Sequence, residues 1–146
     1  MIIGTITLLT ILFFGGSGFD FLGLIVKMDD KVEDIVTDPA TAGEVHVILQ
    51  AYVSEYEIFV EQVEKQRTAI RDVDLRADAT EADYRRVLDS LHKVWVQRES
   101  RGLELRSQLR AKTTREEWDA LHEDMRKKLD KMQKDLDKKR RKAESS

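Results

Sequence analysis

The chain has no cysteine, a single proline, seven glycines and only ten aromatic rings in 146 residues. Without cysteine there is no disulfide scaffold, no thiolate zinc or iron–sulfur site and no thiol nucleophile. So little proline and glycine leaves too few turn formers for an all-β fold. A single-sign charge excess is lacking too: 28 acidic against 25 basic residues give a net charge of −3, which argues against a globally basic nucleic-acid binder. What remains is a chain 41% hydrophobic and 36% charged. At this length it has room for one core, with a second unit only if that unit is a short anchor.

The hydrophobic residues are concentrated at the front. Ile2 to Phe14 carries no charge, and continuing through Gly15-Gly16-Ser17-Gly18-Phe19 reaches roughly the 20 residues a bilayer helix requires before Asp20. No basic segment precedes this run, so an uncleaved anchor over 1–26 is favoured over a cleaved signal peptide, although Gly16-Ser17-Gly18 offers small residues for cleavage. A single-pass membrane protein is therefore expected. Residues 27–37 alternate Val32 and Ile35/Val36 with Asp29, Asp30, Lys31, Glu33 and Asp34, as a juxtamembrane amphipathic segment on the bilayer surface would. Lys27 and Lys31 follow the anchor, and the positive-inside rule would place the remaining body in the cytoplasm.

Thr37-Asp38-Pro39 closes this segment and opens another helix, Asp38 as an N-cap and Pro39 at the first position, where no donor is needed. Val45, Leu49, Tyr52, Tyr56, Phe59, Val63, Gln66, Ile70 and Val73 then follow alternating steps of four and three, a coiled-coil seam. Ile48, Val53 and Val60 widen its first half, so that half requires two neighbours. After Asp78-Ala79-Thr80, the pair Thr80/Asp83 forms a capping box, and Tyr84, Leu88, Leu91, Trp95, Arg98, Gly102, Leu105 and Leu109 repeat the seam. A short connection makes the two helices antiparallel. That register brings Arg98 level with Ile58, where Glu57 or Glu61 can neutralise it, and Gly102 near Ser54. A third, highly charged helix opens at the overlapping boxes Thr113/Glu116 and Thr114/Glu117, carries Trp118, Leu121, Met125, Leu129, Met132 and Leu136, and ends in Lys138-Lys139-Arg140-Arg141-Lys142. The expected fold is all-α: a membrane helix, a helical domain over 38–142 built on a long antiparallel hairpin with coiled-coil packing, and a frayed tail at 143–146. Tyr52, Tyr56, Phe59, Tyr84, Trp95 and Trp118 are its leading core candidates.

Catalytic chemistry is not advertised. His46, His92 and His122 fall one to each helix with no His-x-x-x-His or Glu-x-x-His pair, no Gly-x-Ser-x-Gly elbow occurs, and Gly15-Gly16-Ser17-Gly18 lacks a phosphate loop's Gly-Lys-Ser/Thr ending. No catalytic residue, metal ligand or cofactor is expected. Charge is more telling: residues 28–100 hold 17 acids and nine bases, residues 101–146 ten acids and 15 bases, a negative body with a positive tail. Lys138, Lys139, Arg140, Arg141 and Lys142, with the seam interruptions Arg98 and Gly102, are the candidate partner contacts. The bland alternatives are a basic end that complements the helix dipole, an arginine snorkelling to a glutamate and a glycine that permits close helix approach.

The strings Ala79-Thr80-Glu81-Ala82-Asp83-Tyr84 and Thr113-Thr114-Arg115-Glu116-Glu117-Trp118-Asp119-Ala120-Leu121 resemble the helix-opening Leu-Thr-x-x-Gln segments of Spy/CpxP-type periplasmic proteins and their heavy-metal-resistance relatives. Thr80 and Thr114 stand at the family threonine, while Asp83 and Glu117 replace its glutamine. The resemblance covers roughly residues 40–136. It implies a hairpin-based subunit that dimerises into a cradle and holds unfolded clients without ATP, with the helical domain in the periplasm, opposite to the lysine count. The sequence thus points to a membrane-tethered, non-enzymatic helical binding protein with a protein partner or client, self-associating, with nucleic acid disfavoured. A structural coiled-coil subunit of a membrane complex is the alternative.

Overall fold

The computed structural model describes residues 21–144. Among them are six helices and no strand: α1 (Phe21–Asp30), α2 (Val32–Ile35), α3 (Pro39–Asp74), α4 (Glu81–Lys112), α5 (Arg115–Leu121) and α6 (Glu123–Glu144). The expected anchor falls largely on residues 1–20, outside the described residues. No helix among the described residues is long and apolar enough to cross a membrane.

The hairpin forms as its two seams dictate. Asp38 caps α3 by accepting from the Thr41 amide at 2.8 Å and the Thr41 hydroxyl at 2.6 Å, and Pro39 occupies the first turn. Residues 75–80 turn the chain, where the Tyr84 hydroxyl donates to Asp74 Oδ1 at 2.8 Å. Arg101 to Glu55 at 3.0 Å and Lys112 to Glu44 at 2.5 Å bridge the antiparallel pair.

Burial along the hairpin is uneven, and this is where α1 and α2 matter. Val45 and Leu49 on α3, and Leu105 and Leu109 on α4, are nearly inaccessible, whereas Leu88 and Tyr84 near the turn are exposed. The packed end is closed by Ile25 and Met28 of α1, Val32 of α2, the following Val36, and Leu121 of α5, all in one cluster with the hairpin residues. Several residues read from the sequence as membrane-facing pack here. Leu24 and Ile25, assigned to the anchor, and Met28, Val32 and Val36, assigned to a bilayer-surface segment, lie within the protein core. An amphipathic stripe requires an apolar surface but does not say whether lipid or protein provides it. The widened stripe of α3 provides it here, with α1 as the second neighbour of its first half. At the other end, α6 runs on through Ala143 and Glu144, and the last two residues of the expected frayed tail lie outside the described residues.

Of the six aromatic core candidates, only Phe59 is fully buried; Tyr52, Tyr56, Trp95 and Trp118 are half-buried, and Tyr84 is exposed. The deep core is aliphatic instead.

The third helix also departs from expectation, because it is two helices. His122 stands at φ −91° and ψ 2°, in the bridge region between α and β, and separates α5 from α6. Its ring stacks on Trp118 with centroids 4.0 Å apart, and Nδ1 lies 2.8 Å from the Trp118 carbonyl, which also accepts the His122 amide at 3.1 Å. Beyond the break α6 runs 22 residues without one fully buried side chain.

Candidate partner-binding surfaces

Two of the three capping boxes read from the sequence close; Thr113 instead ends α4, its hydroxyl donating to the Leu109 carbonyl at 3.0 Å. The Asp83 amide donates to Thr80 Oγ1 at 3.3 Å while the Thr80 amide donates to Asp83 Oδ2 at 3.0 Å. The corresponding distances for Thr114 and Glu117 are 3.1 and 2.8 Å. These hydrogen bonds to the charged form, with Thr80 as the main cause, hold the Asp83 carboxyl below the usual range. All four residues stand at helix N-termini, where their hydrogen bonds position α4 and α5.

Arg98 is not neutralised by Glu57 or Glu61. Glu61 pairs with Lys65 at 2.9 Å, and the glutamate that bridges the hairpin is Glu55, held by Arg101. The Arg98 Cζ lies 4.8 Å from the Phe59 ring centroid, 5.8 Å from Phe21 and 5.9 Å from Tyr56. Those rings continue a ladder in which Phe59 meets Trp95 edge-on at 4.8 Å and 75°. Burial pulls the Arg98 pKa down, and an arginine side chain keeps its proton in proteins, so the charge is permanent. The Tyr52 hydroxyl donates to the Gly102 carbonyl at 3.1 Å, and a Cβ at position 102 would meet nothing within 4 Å, so this contact does not require glycine. Loss of hydration pushes the Tyr52 phenol up to about 12.

Arg98, Gly102 and Tyr52 share the wall of an open groove of about 720 Å³ that runs from Phe21 and Tyr56 past Leu105 and Leu109 to Trp118, Met125 and Leu129. Sequence reasoning did not find this groove. One signal for it was present: Arg98, Gly102 and Arg106 are spaced four apart and share one face of α4. Arg106 lies over the Trp118 ring at 5.1 Å.

The groove opens at its lower end onto α6, where Met125, Leu129 and Met132 are half-covered and Leu136 is exposed. Lys31 Nζ holds Asp124 at 2.6 Å and fixes the root of α6 to the α1–α2 junction. Farther out, Lys138, Lys139, Arg140, Arg141 and Lys142 are all exposed, with Arg140 paired to Glu144 at 3.1 Å.

The histidines are held by separate neighbours. His46 lies 2.6 Å from Asp29 and 3.0 Å from Gln50, His92 is exposed on α4, and His122 is packed on Trp118. Among the described residues no group of three or more His, Asp or Glu side chains converges on a possible metal position. Comparison of the chain with family models, curated proteins and solved structures returns no match.

Proposed function

We propose that the chain is a membrane-tethered, non-enzymatic helical binding protein that grips a protein partner with α6. The observation that carries this reading is the contrast between the two ends of the molecule. Its core is completed by α1, α2 and α5, while α6 extends about 33 Å at 1.5 Å per residue and buries none of its side chains fully. A helix that presents Met125, Leu129, Met132 and Leu136 along one face and lysines and arginines elsewhere gains stability when another surface covers that face. Methionine suits a surface that accommodates varied partners, because its side chain is unbranched and flexible. Residues 1–20 would supply the tether.

The partner class that fits the Spy/CpxP resemblance is an unfolded client. The test is aggregation of a denatured client beside the full chain held in lipid nanodiscs. Suppression that is lost when Leu129 and Met132 are changed to glutamate supports the reading; no suppression at stoichiometric excess counts against it. The spacing of the α6 stripe, four then three then four, favours a second possibility, a dedicated helical partner in a membrane complex. That reading expects one stoichiometric partner after gentle solubilisation and no effect on clients.

A further inference from the structure

The groove above α6 has a chemistry of its own. Ligand sites for small molecules are concave, mostly apolar and a few hundred Å³ in volume, with a small number of placed polar groups. At about 720 Å³ this groove falls within that range, and its floor between Tyr52 and Trp118 is made by Leu49, Leu105 and Leu109. At its upper end sits Arg98, half-buried among three rings. Among the described residues no protein acceptor or carboxylate lies within bonding distance of its guanidinium. Ring contacts do not use its N–H donors, so toward the described residues the guanidinium can receive a carboxylate through two parallel hydrogen bonds. Of the carboxylates that border the groove, Glu55 is bound to Arg101 and Glu99 is exposed to solvent.

We infer that this groove binds a long-chain fatty acid, its carboxylate on Arg98 and its hydrocarbon chain lying along Leu105 and Leu109 toward Trp118 and Met125. From Arg98 to Leu109 is about 16 Å along α4 at 1.5 Å per residue, a run suited to an extended acyl chain. The choice of a lipid over a peptide follows from the walls. They are helices whose backbone groups are already bonded within the helix, and a peptide would bring amides that the floor cannot satisfy. A hydrocarbon chain makes no such demand, and a bilayer beside the tether is a ready source. The groove shares Met125 and Leu129 with the α6 face, and the inference rests on the tether of the proposed function for its lipid source but not on α6 gripping a partner.

The experiment is photolabelling of the full chain in neutral-lipid nanodiscs with a fatty acid that carries a diazirine in mid-chain, beside the matching alcohol, with sites mapped by mass spectrometry. The acid is expected to label Trp118, Met125 or Leu129 about tenfold more than the alcohol, the ratio that corresponds to a 1.4 kcal/mol preference. Arg98→Gln is expected to abolish that preference while the circular dichroism stays helical. Equal labelling by acid and alcohol in the unaltered chain overturns the inference, as does labelling confined to residues 1–20. A preference that survives Arg98→Gln overturns it as well.

Discussion

The Arg98 guanidinium carbon lies 4.8 Å from the centroid of the Phe59 ring, with no carboxylate paired to it among the described residues. A cation packed on rings is worth roughly 0.5 to 2 kcal/mol, depending on how dry it is. Arg98→Met keeps the stem that covers the groove wall but removes the charge, so chemical denaturation should show a loss of about 1 kcal/mol. The paired change Glu57→Gln and Glu61→Gln should move stability by less than about 0.5 kcal/mol, since neither residue meets Arg98. A larger loss from the glutamates than from Arg98 would restore the ion-pair arrangement.

The packing of α1 and α2 sets the limit of the folded unit. Leu24, Ile25, Met28, Val32 and Val36 are each less than a tenth exposed, and burying a side chain of this kind is worth about 1.5 to 3 kcal/mol. A fragment beginning at residue 21 should therefore unfold cooperatively. One beginning at residue 38 should have a much lower melting temperature and bind an apolar dye through its uncovered Val45 and Leu49. Equal melting curves for the two fragments would mean that α1 and α2 are not part of the core.

His122 gives stability a pH dependence whose sign is fixed by its burial. Removal from water pulls its pKa below the ordinary value of 6.5, the Trp118 carbonyl opposes that shift, and Arg126 and Arg106 reinforce it. Because a carbonyl only accepts, Nδ1 carries the proton of the neutral ring. The unfolded chain then binds more protons than the folded one between the lowered value and 6.5, so stability falls as pH drops through that window and is unaffected by this group above it. His122→Gln should flatten the difference between pH 7 and pH 5 in thermal melts. An unchanged slope would place the titration elsewhere.

Each capping box should cost about 1 kcal/mol when its threonine becomes alanine, as N-caps generally do. Thr80→Ala and Thr114→Ala open different helices and share no partner, so their effects should add to within a few tenths of a kcal/mol. Leu49→Ala, which empties a fully buried position, should cost about 2 to 5 kcal/mol and provides the scale for these smaller changes.

Periodicity made the hairpin legible. The steps of four and three through Val45, Leu49 and Tyr52 and through Gly102, Leu105 and Leu109 describe a face, and a face is what packing uses. The caps were legible because a threonine followed three residues later by a carboxylate satisfies two amides whatever surrounds it. The location of α1 was not legible: the spacing of Ile25, Met28 and Val32 is the same on a bilayer as on a protein. The break at His122 carries no proline or glycine; it depends on a ring folding back onto Trp118, a contact with no sequence signature. The groove is a gap between five helices, and only the shared spacing of Arg98, Gly102 and Arg106 hinted at it.

Hydrogen exchange along the full chain, alone and with a saturating unfolded client, measures most directly whether α6 is the gripping surface. Amides around Leu49 and Leu105 should be slow in both states, while those from Leu129 to Leu136 should exchange quickly alone and slowly in the complex. Slow exchange of α6 in the isolated chain at high dilution, or protection by client that falls only on the hairpin, would contradict that role.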